Sequence, residues 1–346
     1  MIDWFRGSIS FTHTPLPAGR VLSIEPDGSI EWDCVKSIQV RSSHETSLKI
    51  KSSGHLDEQG RATQLLIDGN LAKFLQGHNI FGSRDLNRLL LLAFRRIIEV
   101  YADHFGGCPG LAFTEARIKR GDYLVKMLDI NQLYEVGNDA SVESWLHAAE
   151  MRARSRHGRS TADKGTVYLG KNSRRWALKF YNKWRELNAK GKTHQLPVYL
   201  RDIGLEDFVN GKLRAELRLF SKELEERHGI THGYHVTPER IGQLFNDYMG
   251  KIDMSQQATL IDEQLLELPR SVYATYQLWR QGADVRHLLA RPTFYRHRQL
   301  LADYGIDIAA MHLAPEHNNV VPLVRIIEAK PVAIPQWAYE RGLIAA

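Results

Sequence analysis

Apolar positions recur with two different periods along the chain. Between Arg20 and Lys51 short segments (RVLSIEP, SIEWDC, KSIQV, SLKIK) alternate apolar and polar residues and are parted by Pro26-Asp27-Gly28 and serine-rich joints, the pattern of a β-meander. His55–Arg61 reads as a polar loop and Gln64–Asp68 as a further strand, running through Gly69-Asn70 into AKFLQGHN. The period then lengthens. With Ser83 as N-cap and Asp85 in the first turn, Leu86, Leu89, Leu90, Ala93, Phe94, Ile97 and Ile98 fall at helical spacing, which predicts a long helix covering one face of the sheet.

Leu124–Ile130 is an apolar run interrupted by Lys126 and Asp129, and a carboxylate in such a strand calls for a partner because burying one unpaired is costly. Asp139–Arg154 reads as a helix with Val142, Trp145, Leu146 and Ala149 inward. It ends in Arg152, Arg154, Arg156 and Arg159 with no acid among them: a solvated loop, or an arm that grips phosphate. Leu213–Leu219 alternates cleanly, with Leu213, Ala215, Leu217 and Leu219 on one face and Arg214, Glu216 and Arg218 on the other. Ser221 is expected to cap the following helix, and Gly229 to end it. His228, His232 and His235 fit solvated histidines of a glycine-rich turn better than ligands. From Thr237-Pro238-Glu239 onward, an N-cap with proline at N1, the pattern is almost wholly helical. The expected fold is α+β: an antiparallel sheet with flanking helices over residues 1–235, then a mainly helical domain over 236–346.

One stretch, Lys164 to Leu187 (KGTVYLGKNSRRWALKFYNKWREL), concentrates chemistry. Val167–Leu169 reads as a strand, Gly170–Arg175 as a polar turn bearing Arg174 and Arg175, and Ala177–Lys183 as a second strand or a helix start. On a strand, Lys179, Tyr181 and Lys183 share a face while Leu178 and Phe180 go to the core; on a helix, Tyr181 would neighbour Ala177, Leu178, Trp184 and Arg185. Either way the hydroxyl points at positive charge. A phenol with a pKa of about 10 is a poor nucleophile at neutral pH unless cations or a metal assist it. The competing reading is a packed tyrosine with surface lysines.

Composition narrows the class without choosing the function. With 346 residues, 43% of them hydrophobic, the chain can bury a sizeable core. It lacks an apolar run of about 18 residues, and Met1–Pro15 carries charges and polar residues where a signal peptide needs an apolar centre, so residence in the cytosol is expected. Cys34 and Cys108 are far apart and suggest neither a disulfide framework nor a cysteine zinc site. Lys plus Arg number 46 against 40 Asp plus Glu, a mild basic excess that permits nucleic-acid binding.

Several separated stretches resemble the filamentous-phage replication initiators, the gene II and gene X proteins: the opening Met1-Ile2-Asp3, the block AKFLQGHNIFGSRDL, the strand MLDIN, the tyrosine stretch LKFYNKWREL, the strand LRAELRL, and NNVVPLVRII at Asn318–Ile327. The resemblance covers nearly the whole chain and implies a rolling-circle initiator. Such a protein nicks one strand of a double-stranded phage origin, joins the 5′ phosphate to tyrosine, leaves a 3′-OH primer and later re-ligates the displaced strand. It implies origin DNA as partner, host helicase and polymerase as co-workers, no membrane, and the bacterial cytoplasm as location. The family looks like a divergent branch of the HUH endonucleases, whose sheet carries a divalent-metal site, but the usual His-hydrophobe-His motif is absent here.

The reaction itself suggests the remaining assignments. Tyr181 is the expected nucleophile, with Lys179 and Lys183 beside it. A Mg2+ or Mn2+ ion held by hard oxygen ligands, sometimes with an imidazole, would polarise the scissile phosphate, and Asp129, Glu216 and His78 are the expected ligands, with Glu186 in reserve. The competing readings are an ion pair of Asp129 with Lys126 or an arginine, a bridge from Glu216 to Arg214 or Arg218, and a backbone-bonded turn histidine at 78. Arg152, Arg154, Arg156, Arg159, Arg174 and Arg175 are expected to meet DNA. Farther on, helices at Ser271–Arg280, Asp284–Leu289 and Phe294–Tyr304, the last capped by Thr293, suggest a helix-turn-helix-like unit offering Arg296, Arg298 and Gln299 to a major groove. A protein of another class, one that binds an origin or operator without cutting it, is the alternative; carboxylates on two strands facing nucleic acid argue against it.

Overall fold

A computed structural model describes residues 1–152, 154–155, 158–163, 165–189, 195–252, 268–302, 306–309 and 331–345. The expected NNVVPLVRII segment and Arg156 therefore lie outside the described residues. In chain order the strands are β1 (Ile2–His13), β2 (Arg20–Ile24), β3 (Ile30–Val35), β4 (Ile38–Arg41), β5 (Ser47–Leu56), β6 (Ala62–Gly69), β7 (Leu124–Glu135), β8 (Arg154–Ser155), β9 (Gly158–Arg159), β10 (Thr161–Asp163), β11 (Thr166–Leu169), β12 (Trp176–Asn182) and β13 (Lys212–Phe220). Nine of them form one antiparallel sheet in the order β10-β11-β12-β13-β7-β1-β6-β5-β4. The meander expected from Arg20 divides: β2 and β3 pair only with each other, and β4 and β5 join the large sheet.

Period two sorts the side chains of this sheet. Ile2, Phe5, Ile9 and Phe11 of β1, Leu128 and Ile130 of β7, Leu178 and Phe180 of β12, and Leu213, Ala215, Leu217 and Leu219 of β13 enter one continuous core. Leu217 is wholly buried, so truncation to alanine would cost about 2–5 kcal/mol. Helices cover that face: α2 (Leu86–Val100) with Leu89, Leu90, Ala93, Phe94 and Ile97, α5 (Asp139–Arg152) with Val142, Trp145, Leu146 and Ala149, and α9 (Pro238–Met249) with Ile241, Leu244, Phe245 and Tyr248. In α2 the cap is Asp85, whose carboxylate accepts the Arg88 N–H at 3.0 Å, while the Ser83 hydroxyl accepts from Asp85. After β13, Ser221 begins α8 (Ser221–His228) without capping it; its hydroxyl donates to the Lys126 carbonyl at 2.8 Å, and Gly229 ends the helix in the left-handed region.

Residues just past the division expected between 235 and 236 pack with the sheet. Pro238–Met249 lies in the sheet's own core because its apolar stripe has that face to cover. The segment after Pro331 also returns: Ala338 and Leu343 join Ile80, Phe81, Leu133 and Leu187 in a second cluster. Among the described residues a third cluster lies within 268–309, in which Val272, Tyr276, Trp279, Phe294 and Leu301 meet. Its helices are Arg270–Arg280, Val285–Leu288 and Arg291–Ala302. The last begins three residues before its expected start at Phe294, because Pro292 lies in the first turn, where its missing N–H costs no helical bond.

Candidate functional site

The face of the sheet opposite the main core is polar across its middle. Ala177–Lys183 resolves as a strand that gives way to α6 (Lys183–Asn188) at Asn182, whose side chain caps the helix by accepting from Arg185 N at 3.2 Å. Lys179 and Tyr181 therefore project together beside Glu216 and Arg214 of β13, their cross-strand partners. The β13–β7 register then sets Arg218 opposite Asp129 and Glu216 opposite Asn131. Tyr181 donates its hydroxyl to Glu216 Oε2 at 3.2 Å, and Lys179 Nζ lies 2.7 Å from Glu216 Oε1. Asp129 receives Arg218 in a fork, at 2.8 Å from Nε and 2.6 Å from Nη2. The carboxylate in the apolar strand thus has its partner in the next strand.

A second layer of bonds fixes Arg214 and Lys183, two buried cations next to the phenol. Gly77, at φ +80°, ends helix α1 (Leu71–Gln76) and turns the chain so that Asn79 faces the site. Asn79 accepts from Lys183 Nζ through its side chain at 2.9 Å, donates to Asp3 at 3.0 Å, and offers its carbonyl to Arg214. Asp3 also accepts from Asn70 at 2.7 Å and lies 3.4 Å from Arg214. Lys183 pairs as well with Glu186. Sequence reasoning assigned no role to Asp3 or Asn79 and weighed Arg214 only as a salt-bridge partner of Glu216; the signal was present, since Asp3 opens the chain and Asn79 stands inside the QGHN block, but their meeting is long-range.

The electrostatics differ from the simple expectation of a phenol surrounded by positive charge. Burial pushes the Tyr181 pKa well up, Glu186 and Glu216 add to this, and Arg214 opposes it. Tyr181 is therefore a neutral phenol hydrogen-bonded to a carboxylate. At Asp129 two effects compete: burial and the nearby Glu216 charge push its carboxyl to about 7, while the Arg218 guanidinium pulls it down. The same pairing raises Arg218, so its guanidinium stays charged opposite Asp129. Burial works against the charge on Lys179, but Glu216 more than offsets it; for Lys183 burial prevails and lowers the pKa.

The other expected residues are placed as follows. His78 is buried, and both ring nitrogens are hydrogen-bonded: Nε2 bonds the Leu343 carbonyl at 2.9 Å and Nδ1 accepts from Ile80 N at 3.3 Å, the backbone-bonded alternative. Among the described residues no group of three His, Cys, Asp or Glu side chains is arranged to hold a metal ion. Two carboxylates on adjacent strands, both deeply buried, nevertheless offer the oxygen donors that Mg2+ or Mn2+ favours. Arg174 is exposed, whereas Arg175 is tied to Glu223 and Glu226 at 2.7 and 2.8 Å. Arg152 ends α5, and Arg154 pairs in register with Arg159 across β8 and β9. On the helix Arg291–Ala302, Arg296 and Gln299 are exposed, Arg298 pairs with Asp307 at 2.9 Å, and Phe294, His297 and Leu301 face inward while Leu300 is exposed.

A tyrosine, a carboxylate acceptor and several cations meet on one sheet face, an arrangement suited to phosphodiester chemistry. Residues 1–239 match the family model for the N-terminal part of the phage replication-associated protein, the gene II protein, and residues 260–344 match the model for its C-terminal part. The replication-associated protein of this type from Enterobacteria phage I2-2 is 41% identical over 335 residues, covering 97% of this chain and 95% of that relative. The chain belongs to this family of phage replication-associated proteins, as a gene II-type initiator. Among solved structures, a rolling circle replication initiator protein from Geobacillus stearothermophilus aligns over 90% of this chain and 98% of its own at 13% identity and a TM-score of 0.32.

Proposed function

We propose that the chain initiates rolling-circle replication of a phage genome by nicking one strand of the double-stranded origin through Tyr181, in the manner of a divergent HUH-like endonuclease. The observation that carries this reading is the buried Tyr181–Glu216 hydrogen bond on the polar face of the sheet, flanked by Lys179 and by the Asp129–Arg218 pair. Tyr181 Oη attacks the scissile phosphorus while Glu216 takes the phenolic proton, a phosphotyrosine bond forms, and the P–O3′ bond breaks. The departing 3′ oxygen takes a proton from water and becomes the primer hydroxyl. Lys179 faces the charge that develops on the phosphate, and Arg214, held in place by Asn79 and Asp3, is the cross-strand neighbour of Tyr181. Rejoining runs the same steps backward: a 3′ hydroxyl attacks the phosphotyrosine, and Tyr181 recovers its proton from Glu216.

Asp129 and Glu216 are the residues that would hold Mg2+ or Mn2+, at the expense of their present cationic partners. Such an ion would polarise the phosphate and neutralise its charge. The exposed arginines Arg174 and Arg296 and the basic segment around Arg152, Arg154, Arg156 and Arg159 would grip origin DNA and the displaced single strand. The helices at 270–302 would read the origin. The host helicase and polymerase would extend the primer in the bacterial cytoplasm; among the described residues no helix is long and apolar enough to cross a membrane.

The test is incubation of a supercoiled plasmid carrying the cognate origin with protein and manganese. Open circles and a covalent adduct on the Tyr181 peptide are expected. Plasmid that is shifted in a gel yet stays supercoiled would refute nicking and leave a protein that only binds its origin.

A further inference from the structure

A cavity of about 670 Å³ opens beside Tyr181 on the side away from Glu216, within the range of roughly 300–1,000 Å³ typical of small-molecule sites. Its wall includes Asp163 of β10, Thr166 and Tyr168 of β11, and Lys179 and Tyr181 of β12. Val167 and Leu169 go to the core, so period two turns Thr166 and Tyr168 to the open face. The β11–β12 register pairs Thr166 with Tyr181 and Tyr168 with Lys179, which makes Tyr168 the diagonal neighbour of the reactive phenol. Its ring is half-buried, and Lys171 Nζ stands 5.1 Å from the ring centroid while pairing with Asp163 at 2.8 Å. The cavity thus brings the Tyr168 ring, its cross-strand partner Lys179 and Tyr181 into one wall, with Arg185 and the carboxylates of Glu143 and Glu186 also lining it.

We propose that this cavity holds the nucleoside whose 5′ phosphate becomes joined to the protein, with its base stacked on Tyr168. The proposal rests on Tyr181 being the nucleophile. In-line displacement puts the leaving 3′ oxygen on the far side of phosphorus from the attacking Oη, so the departing nucleotide lies away from a cavity whose wall is Tyr181 itself. The nucleotide that keeps the phosphorus stays tethered to that wall. An aromatic plane beside a cation is what a base and its backbone require, and stacking tolerates any base. The cavity would therefore hold the covalent strand end in place until a 3′ hydroxyl returns, a positioning role for Tyr168.

The experiment uses the full chain and a single-stranded oligonucleotide spanning the nick site, mapped beforehand by primer extension on nicked origin plasmid. Equilibrium binding is measured in the non-cleaving Tyr181→Phe background, with Tyr168 intact, Tyr168→Ala or Tyr168→Phe, each checked by thermal melting. An abasic residue is placed at either the retained or the departing nucleotide. With Tyr168 intact, loss of the retained base should weaken binding about 10- to 100-fold, the range that one base–aromatic stack supplies. Tyr168→Ala should weaken binding of the intact oligonucleotide similarly and add nothing on the abasic one, while Tyr168→Phe should match Tyr168. Equal losses from Tyr168→Ala on intact and abasic oligonucleotides would overturn the pocket, as would sensitivity confined to the departing base. Failure of the Tyr181 reading shows separately, as a DNA adduct on another peptide of the wild-type protein; an adduct on Tyr168 would overturn both.

Discussion

Acidification should destabilise the fold through His78 in a way that a substitution can isolate. The ring is buried, and burial lowers its pKa from 6.5 to about 4, with the Leu343 carbonyl opposing and Lys183 and Arg214 adding to the fall. The folded chain thus resists a proton that the unfolded chain accepts. His78 stability is fully present above pH 6.5, shrinks as pH falls below that value, and levels off below about 4. At about 1.4 kcal/mol per pH unit the loss is about 2 kcal/mol by pH 5 and about 3 kcal/mol by pH 4, a large part of the roughly 5–15 kcal/mol that holds a domain. Urea unfolding of wild type and His78→Gln, followed by tryptophan fluorescence from pH 7.5 to 4.5, reads this as a difference. The wild-type lead should narrow by about 2 kcal/mol between pH 6.5 and 5. Burial also lowers His13, His228 and His297, and Asp129 titrates with the opposite sign because its folded pKa is raised, but all four are common to both proteins and cancel. A difference that stays flat with pH would refute the buried, neutral imidazole. Manganese should shift the two proteins equally, since both ring nitrogens are already engaged.

Tyr181→Phe should retain origin affinity and lose all strand cleavage, read as open circles from supercoiled plasmid; an active phenylalanine variant would mean the hydroxyl is not the nucleophile. Glu216→Gln and Asp129→Asn should each suppress cleavage at every manganese concentration while leaving binding equal or slightly tighter, because each removes negative charge beside the phosphate path; normal rates would make both residues structural. Replacing Arg152, Arg154, Arg156 and Arg159 together by alanine should flatten the slope of log K against log salt by about 0.9 per lost duplex contact, and an unchanged slope would make the segment a solvated loop. In the C-terminal unit Arg296→Ala should cost roughly 1–3 kcal/mol on cognate duplex and little on scrambled duplex at one fixed salt concentration. Arg298→Ala should cost stability as well, since Arg298 is bonded to Asp307; equal binding losses on both duplexes would reduce these residues to phosphate contacts.

Local pattern carried much of the sheet and little of what crosses it. The alternation at Leu213–Leu219 told which residues of β13 share a face, and the β-branched and aromatic run Val167–Leu169 was readable as a strand, which in the fold begins one residue earlier at Thr166. By contrast β1 was not legible, because its β-bulges and mixed Trp4, Arg6 and Ser8 positions blur the period. That strand supplies Asp3, so half of the support beneath Arg214 stayed hidden. Partners across strands were no easier: Glu216 has arginines two residues away on either side but pairs with Lys179 of the next strand, because register, not sequence distance, sets who meets. The same long-range pairing changes the surroundings of Tyr181. Neighbouring lysines in sequence suggested a hydroxyl pointing at positive charge, yet the fold buries the hydroxyl, raises its pKa and hands it a carboxylate acceptor. A buried phenolate beside Glu186 and Glu216 would be repelled, whereas a neutral phenol can pass its proton to Glu216 only as the oxygen bonds to phosphorus. On the proposed role of Tyr181 as nucleophile, attack and deprotonation are one event, and the tyrosine stays unreactive until a phosphate is in place.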